Sequence, residues 1–153
     1  MIEDALYSHP AIALVAVVGK PDVYAGELPV AYVVFKAGAT VTEQDLLAYA
    51  QQTVKERAAI TKSIVTLDQM PMTAVGKFFK LPLRCDAVHR VYTQALSAFL
   101  PVHLSWEVQV ESNQQDGMLA MLFLSEVPKE QRVPVHEQIA HVLDAYVVKY
   151  QLQ

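Results

Sequence analysis

The chain has 153 residues, 53% hydrophobic and 18% charged, enough to bury roughly two thirds of the surface its unfolded form exposes without a disulfide or metal staple. That composition lies far from the low-hydrophobicity, high-charge corner in which chains stay disordered. A formal net charge of -4 argues against the clustered Lys and Arg of a phosphate-backbone footprint, so nucleic acid is not an expected partner.

Cys85 is the only cysteine, which excludes an internal disulfide or a CxxC site and fits a cytoplasmic setting. Glu3 and Asp4 stand where a signal peptide would carry basic residues. Residues 5–19, free of Asp, Glu, Lys and Arg, contain Ser8, His9 and Pro10 and are too short for a bilayer. Neither export nor a membrane span is expected.

Residues 2–8 read as the tail of a helix stopped by His9-Pro10, because the residue before proline is pushed out of the helical region. Residues 12–19 and 28–35 are apolar runs rich in Val and Ala. Lys20-Pro21-Asp22 and Ala25-Gly26-Glu27 separate them, which predicts two buried strands around a turn. Thr42 with Asp45 three residues on caps a helix whose stripe is Leu46, Leu47, Ala50, Val54 and Ala58. Residues 63–67 form a further strand, and residues 70–80 follow as a loop.

Residues 1–84 carry eight basic and eight acidic side chains, whereas 85–153 carry four and eight. Patterning changes at the same place, so residues 83–87 are a predicted boundary; no sequence repeat appears on either side. Beyond it Val88, Val91, Tyr92, Ala95, Leu96 and Phe99 form one helical stripe ended before Pro101. Leu104, Trp106, Val108 and Val110 alternate with Ser105, Glu107, Gln109 and Glu111, which predicts a strand with one dry and one wet face. A turn at Gln115-Asp116-Gly117 leads into residues 118–124, apolar on both faces, so a second surface has to cover this strand. A last helix is expected from Pro134, burying Val135, Ile139, Val142, Leu143, Tyr146, Val147 and Tyr150. The tail thus reads as an α-β-β-α unit, and a second copy of the chain is a candidate cover for its doubly apolar strand.

Gly76-Lys77 fails as a P-loop, since Pro71 stands where the first glycine belongs and Phe78 where Ser or Thr belongs. His136 and His141 are five apart, about 140° around a helix, where a zinc pair needs i,i+4. No metal site is expected among the five scattered histidines.

Two segments carry more: residues 22–34, Asp-Val-Tyr-Ala-Gly-Glu-Leu-Pro-Val-Ala-Tyr-Val-Val, and residues 70–80, Met-Pro-Met-Thr-Ala-Val-Gly-Lys-Phe-Phe-Lys. Together with the opening helix, His9-Pro10 and residues 15–19, they resemble the carboxy-terminal domain of the adenylate-forming superfamily. That superfamily comprises acyl-CoA synthetases, peptide-synthetase adenylation domains and luciferases. Its loop pattern is Leu-Pro, a variable residue, Thr, one residue, Ser or Thr, Gly, Lys, an aliphatic residue, one residue, Arg. Pro71, Thr73, Gly76 and Lys77 match it; Met70, Val75, Phe78 and Lys80 are substitutions. The resemblance covers residues 2–84 and implies an α+β fold there, a small mixed sheet with flanking helices.

Activating a carboxylate with ATP brings an anionic oxygen up to an anionic α-phosphate, and a mobile ammonium aimed at that point relieves the crowding. A bare Gly-Lys pair is ordinarily a solvated turn; the surrounding pattern makes Lys77 the catalytic candidate, with Thr73 and Gly76 supporting the loop. Gly26 and Glu27 open the second strand, where they serve a turn and face water; the resemblance adds a role near the CoA channel. Lys62, Lys80 and Arg84 flank the lysine loop as scattered surface cations or phosphate-attracting ones.

The resemblance implies the mobile carboxy-terminal domain of an acyl-CoA synthetase that converts a fatty acid, ATP and CoA to acyl-CoA, AMP and pyrophosphate. It would first present the lysine for adenylation, then rotate for attack by CoA. The amino-terminal domain binding ATP, magnesium and the acyl group lies outside this sequence, so the chain alone is expected to be inactive and to hold no cofactor. An adenylation domain loading a carrier protein, or a non-catalytic dimerisation or binding module, is the alternative.

Overall fold

The computed structural model describes residues 2–54, 63–101, 103–115, 117–125 and 127–153. Ala58 of the expected helix stripe, Lys62 and Asp116 lie outside the described residues. The chain divides into two compact units, one of residues 1–20 and 27–84, the other of residues 21–26 and 85–153.

In the first unit, α1 (Ile2–Tyr7) precedes β1 (Ile12–Asp22) and β2 (Gly26–Phe35), then α2 (Glu43–Thr53) and β3 (Ser63–Thr66). The sheet order is β1-β2-β3, and β3 runs parallel to β2 from Val30 opposite Ser63 to Val33 opposite Thr66. Ile2 and Leu6 of α1 and Leu46 and Ala50 of α2 pack with Val15, Ala31, Val33 and Ile64 of the sheet. On alternate positions Ala16, Val18, Val30 and Tyr32 are buried too, so both sheet faces are covered, as continuous apolar runs require. Thr42 Oγ1 accepts from Asp45 N at 3.2 Å while Asp45 accepts from Thr42 N at 3.0 Å, closing a capping box. These hydrogen bonds hold the Asp45 carboxyl below its usual range. Lys20-Pro21-Asp22, expected as part of the turn, belongs to β1. A proline is tolerated there because β1 is an edge strand with ladder bonds on one side.

Helix α3 (Lys80–Ser97) leads into the second unit, which continues with β4 (Ser105–Asn113), β5 (Gly117–Ser125), α4 (Lys129–Leu143) and β6 (Lys149–Leu152). Helix α3 starts before the expected boundary, so residues 83–87 are helical and the division between the units, at 84–85, falls inside the helix. Strands β4 and β5 pair antiparallel from Ser105 opposite Ser125 to Asn113 opposite Gly117. Strand β6 joins β5 in parallel, Leu119 opposite Lys149 and Leu122 opposite Leu152. One sheet face, bearing Val108, Ala120 and Leu122, packs against Val88, Tyr92 and Leu96 of α3 and Val135, Ile139 and Leu143 of α4. Tyr92, fully buried, donates its hydroxyl to Val148 O at 2.6 Å; burial, then the neighbouring Tyr146 and Tyr150, push its ionisation far up.

The last helix departs from its expected course at both ends. It opens at Lys129, and Pro134 lies inside it at the loss of one i→i−4 bond, to the carbonyl of Glu130. It ends at Leu143, and Tyr150 lies in β6, where Lys149, Tyr150, Gln151 and Leu152 alternate between exposed and half-buried with the period of a strand. The tail is therefore helix, two strands, helix and an added strand. Both units thus share one element order and one sheet plan, the third strand parallel to the middle one, despite the missing sequence repeat. No helix among the described residues is long and apolar enough to cross a membrane.

Candidate functional site

Residues 70–80 fold as a closed hairpin. Met72 bridges to Phe78 in antiparallel fashion, and Met70 ahead of it is buried. Gly76 N donates to Thr73 O at 3.0 Å, Thr73 N to Lys77 O at 2.7 Å, and Phe79 N to Pro71 O at 2.9 Å. A three-residue hairpin loop of this kind needs a left-handed residue at its end, and Gly76 supplies it with φ 80°. Thr73 Oγ1 accepts from Lys77 N at 3.1 Å, so the threonine side chain fixes the lysine's own backbone. Val75, in place of the family's hydroxyl residue, is 80% exposed at the tip. Lys77 is exposed one step beyond the glycine, its long stem free to reach a ligand delivered from outside.

The hairpin thus gathers Thr73, Gly76 and Lys77. Gly26 and Glu27 are the first two residues of β2, at the turn that joins it to β1. There Asp22 Oδ2 accepts from Tyr24 N and Ala25 N at 3.0 and 2.8 Å, and Gly26 takes φ 77°. Glu27 is exposed, with its carboxylate folded over Gly19, where an added Cβ would fall 1.6 Å from Oε1.

Lys80 is engaged within the first unit. Its Nζ donates to Glu3 Oε1 at 2.8 Å and lies 3.4 Å from Val17 O, and the same Glu3 oxygen accepts from Val17 N at 2.8 Å. Burial opposes ionisation of Glu3, but the bonds from Lys80 and Val17 and the lysine's charge outweigh it, so the carboxyl is held below its usual range. In the sequence Glu3 stands out only as a charge unsuited to a signal peptide; a lone acid in an opening helix gives no hint of a partner at position 80. Arg84 is exposed. Among the described residues no three His, Cys, Asp or Glu side chains converge as metal ligands.

Residues 1–77 match the AMP-binding enzyme C-terminal domain, a segment that begins at α1 and ends on Lys77. The chain belongs to that family. A marinolic acid–CoA ligase from a Pseudoalteromonas species is 35% identical over 144 residues, covering 94% of this chain and 22% of its own. Apo MatB from Rhodopseudomonas palustris superimposes with a TM-score of 0.52 at 30% identity, covering 54% of this chain and 16% of that one. A Mycobacterium tuberculosis fatty acyl CoA synthetase does so with a TM-score of 0.50 at 31% identity, covering 54% and 16%. The chain thus spans about a fifth of the length of the proteins it matches and is a C-terminal domain of the acyl-CoA ligase, adenylate-forming type. Each of the two structures covers 54% of the chain, whereas the marinolic acid–CoA ligase match, over 144 of the 153 residues, is long enough to include residues of both units.

Proposed function

We propose that this chain is the mobile carboxy-terminal part of an ATP-dependent acyl-CoA synthetase and that Lys77 is its adenylation lysine. The observation that carries the reading is the exposed Lys77 on a hairpin closed by Thr73 and Gly76, at the end of the family-matched segment. In the first half-reaction a carboxylate oxygen of the acid attacks the α-phosphorus of ATP, the bond to the β-phosphate breaks, and pyrophosphate leaves. The Lys77 ammonium meets the charge that gathers at the attacked phosphate; one such preorganised contact is worth roughly 3–4 kcal/mol. In the second, the CoA thiol loses its proton, its sulfur attacks the acyl carbon, and AMP leaves. Gly26 and Glu27 are assigned to that second step. Magnesium and the adenine and acyl pockets are assigned to the rest of the enzyme, as the likeness to the superfamily implies. The isolated chain is accordingly inactive, with a dissociation constant for MgATP of about millimolar or weaker.

A fatty acid is the proposed substrate class, supported by the likeness of residues 70–83 to fatty-acyl-CoA synthetases and by the Mycobacterium tuberculosis structure. The proposed setting is the cytoplasm. The test is Lys77→Ala in the full-length enzyme: adenylate formation is abolished, while thioester formation from supplied acyl-AMP continues. Equal loss of both half-reactions in a folded protein refutes the assignment.

We further propose that the second unit self-associates. The sheet face away from its helices carries Leu119, Met121 and Phe123 along β5, the last 37% exposed. Register sets them in rows, Glu111–Leu119–Lys149 and Gln109–Met121–Gln151. A two-fold axis along β5 stacks each apolar residue on its own copy and brings Glu111 over the partner's Lys149, whereas an axis across the strands opposes Glu111 to the partner's Glu107. The patch is small beside the ~800 Å² per partner of a standard interface, so the dimer is a weak one. Light scattering should show a mass rising with concentration, and Met121→Asp should abolish the rise. A monomer mass at every concentration rejects this partner.

A further inference from the structure

The hairpin that carries Lys77 has two legs, and they are held differently. The entering leg is seated by Met70, buried to 6% exposure. The leaving leg passes from Lys77 through Phe78 and Phe79 into α3 at Lys80, a span of at most about 10 Å of extended chain. Its far end is fixed by side-chain chemistry: the Lys80 ammonium lies on one oxygen of Glu3, in α1, and near the carbonyl of Val17, in β1. The same Glu3 oxygen also takes the Val17 N–H. One carboxylate oxygen therefore joins the opening helix, the first strand and the root of the hairpin in a closed ring of three contacts.

We propose that Lys80 is a positioning residue for adenylation, holding the lysine hairpin at the angle from which Lys77 reaches the α-phosphate, with Glu3 as its counter-anchor. The inference rests on the assignment of Lys77 above. Its physical content is leverage. With the tie released, the leaving leg is held by its bonds to the entering leg and by the start of α3, and the Lys77 ammonium, at the far end of a long side chain, strays from the reacting oxygens. A misplacement of about 1 Å at such a point costs up to about a hundredfold in rate. The competing use of Lys80, as a cation that itself contacts the phosphates, requires the ammonium to leave Glu3.

The two roles separate in the full-length enzyme. Lys80→Met keeps much of the apolar stem and removes the charge; Glu3→Gln keeps Lys80 and weakens its anchor. Positioning predicts that each lowers kcat for adenylate formation by roughly ten- to a hundredfold, with KM for ATP and thioester formation from supplied acyl-AMP unchanged. The double variant should be no worse than the poorer single, since both break one contact. Lys80→Arg should restore the rate. A direct phosphate contact predicts instead that Glu3→Gln leaves adenylation intact or faster, and that Lys80→Met raises KM for ATP; either result overturns the proposal. So does an equal loss in both half-reactions, which marks a merely structural tie. Lys77→Ala, assayed in parallel, keeps the two readings distinct. If it abolishes adenylation while Lys80→Met and Glu3→Gln run at the parent rate, the positioning role alone fails; if it leaves adenylation intact, the assignment of Lys77 fails first. Circular dichroism checks the fold of each variant, and Glu3→Gln, the milder change, carries the test if Lys80→Met does not fold.

Discussion

Replacing Gly76 by alanine isolates the backbone strain of the lysine hairpin. An added Cβ at position 76 meets nothing within 4 Å, yet φ is +80°, so its cost is conformational and not steric. Holding an L-residue in the left-handed region costs about 1–2 kcal/mol, and the stiffer unfolded chain returns roughly 0.4–1 kcal/mol of that. The net of about 1 kcal/mol is a factor of roughly five in the opening equilibrium of the hairpin. Amide exchange is the assay, because the N–H groups of Thr73 and residue 76 close the loop and that of Lys77 donates to Thr73 Oγ1. Gly76→Ala should speed exchange at all three about fivefold, while amides in β2 keep their protection; Gly76→Asn, a side chain that tolerates this region, should recover much of the difference. Gly19→Ala is the contrast: its Cβ falls on the Glu27 side chain, which is exposed and swings aside, and the lysine hairpin is untouched. Equal exchange in the glycine and alanine proteins, or an asparagine no better than alanine, would refute the strain argument.

Ile139→Ala empties a fully buried position in the second core and should cost about 2–5 kcal/mol, followed through the fluorescence of Trp106, the single tryptophan. Tyr92→Phe leaves Val148 O without its 2.6 Å donor and should cost about 1–3 kcal/mol by the same signal. Glu3 gives the first unit an acid-sensitive component. Its ionisation is depressed from the ordinary 4.5, so the stability it contributes is present in full above that value and is lost as pH falls through the lower folded-state value. With both partners 37% exposed the contribution is about 0.5–1 kcal/mol. The stability gap between the parent chain and Glu3→Gln should be constant near neutrality and close in acid; a gap that widens in acid contradicts the sign.

What the sequence disclosed was local, and what it hid was not. The capping box at Thr42 and Asp45 is written in four adjacent residues, and the alternation from Leu104 to Glu111 fixes which side of β4 is dry. The hairpin's glycine could be read because Gly-Lys stood inside a longer pattern. Punctuation misled where tertiary context overrode it: Pro21 looked like a turn but sits on an edge strand, and Pro134 looked like a helix start but lies in a second turn. Strand β6 is hidden in the sequence because Tyr146, Val147 and Tyr150 also satisfy a helical stripe; the two-residue alternation of 149–152 is too short to outweigh it. The doubly apolar run 118–124 was recognised, yet which face the helices take depends on pairings far along the chain. The tie between Glu3 and Lys80 joins side chains that only the fold brings together.

The common plan of the two units bears on how each is put together in time. In the second unit, Asn113 meets Gly117 across a short turn, whereas Leu119 must wait for Lys149, and in the first Val30 must wait for Ser63. Closing the longer loop carries an entropic cost roughly 2 kcal/mol above that of the turn, so in each unit the turn-joined strand pair can zip before the strand that returns behind its helix. The reverse order holds on opening. Strands β3 and β6, four residues each, are the first to peel away, and each bares the backbone edge of a longer strand beside it. A strand of the same sequence from a neighbouring molecule fits the bared edge as well as the native one. Crowded partial unfolding therefore leads this chain toward exchange of β3 or β6 between molecules.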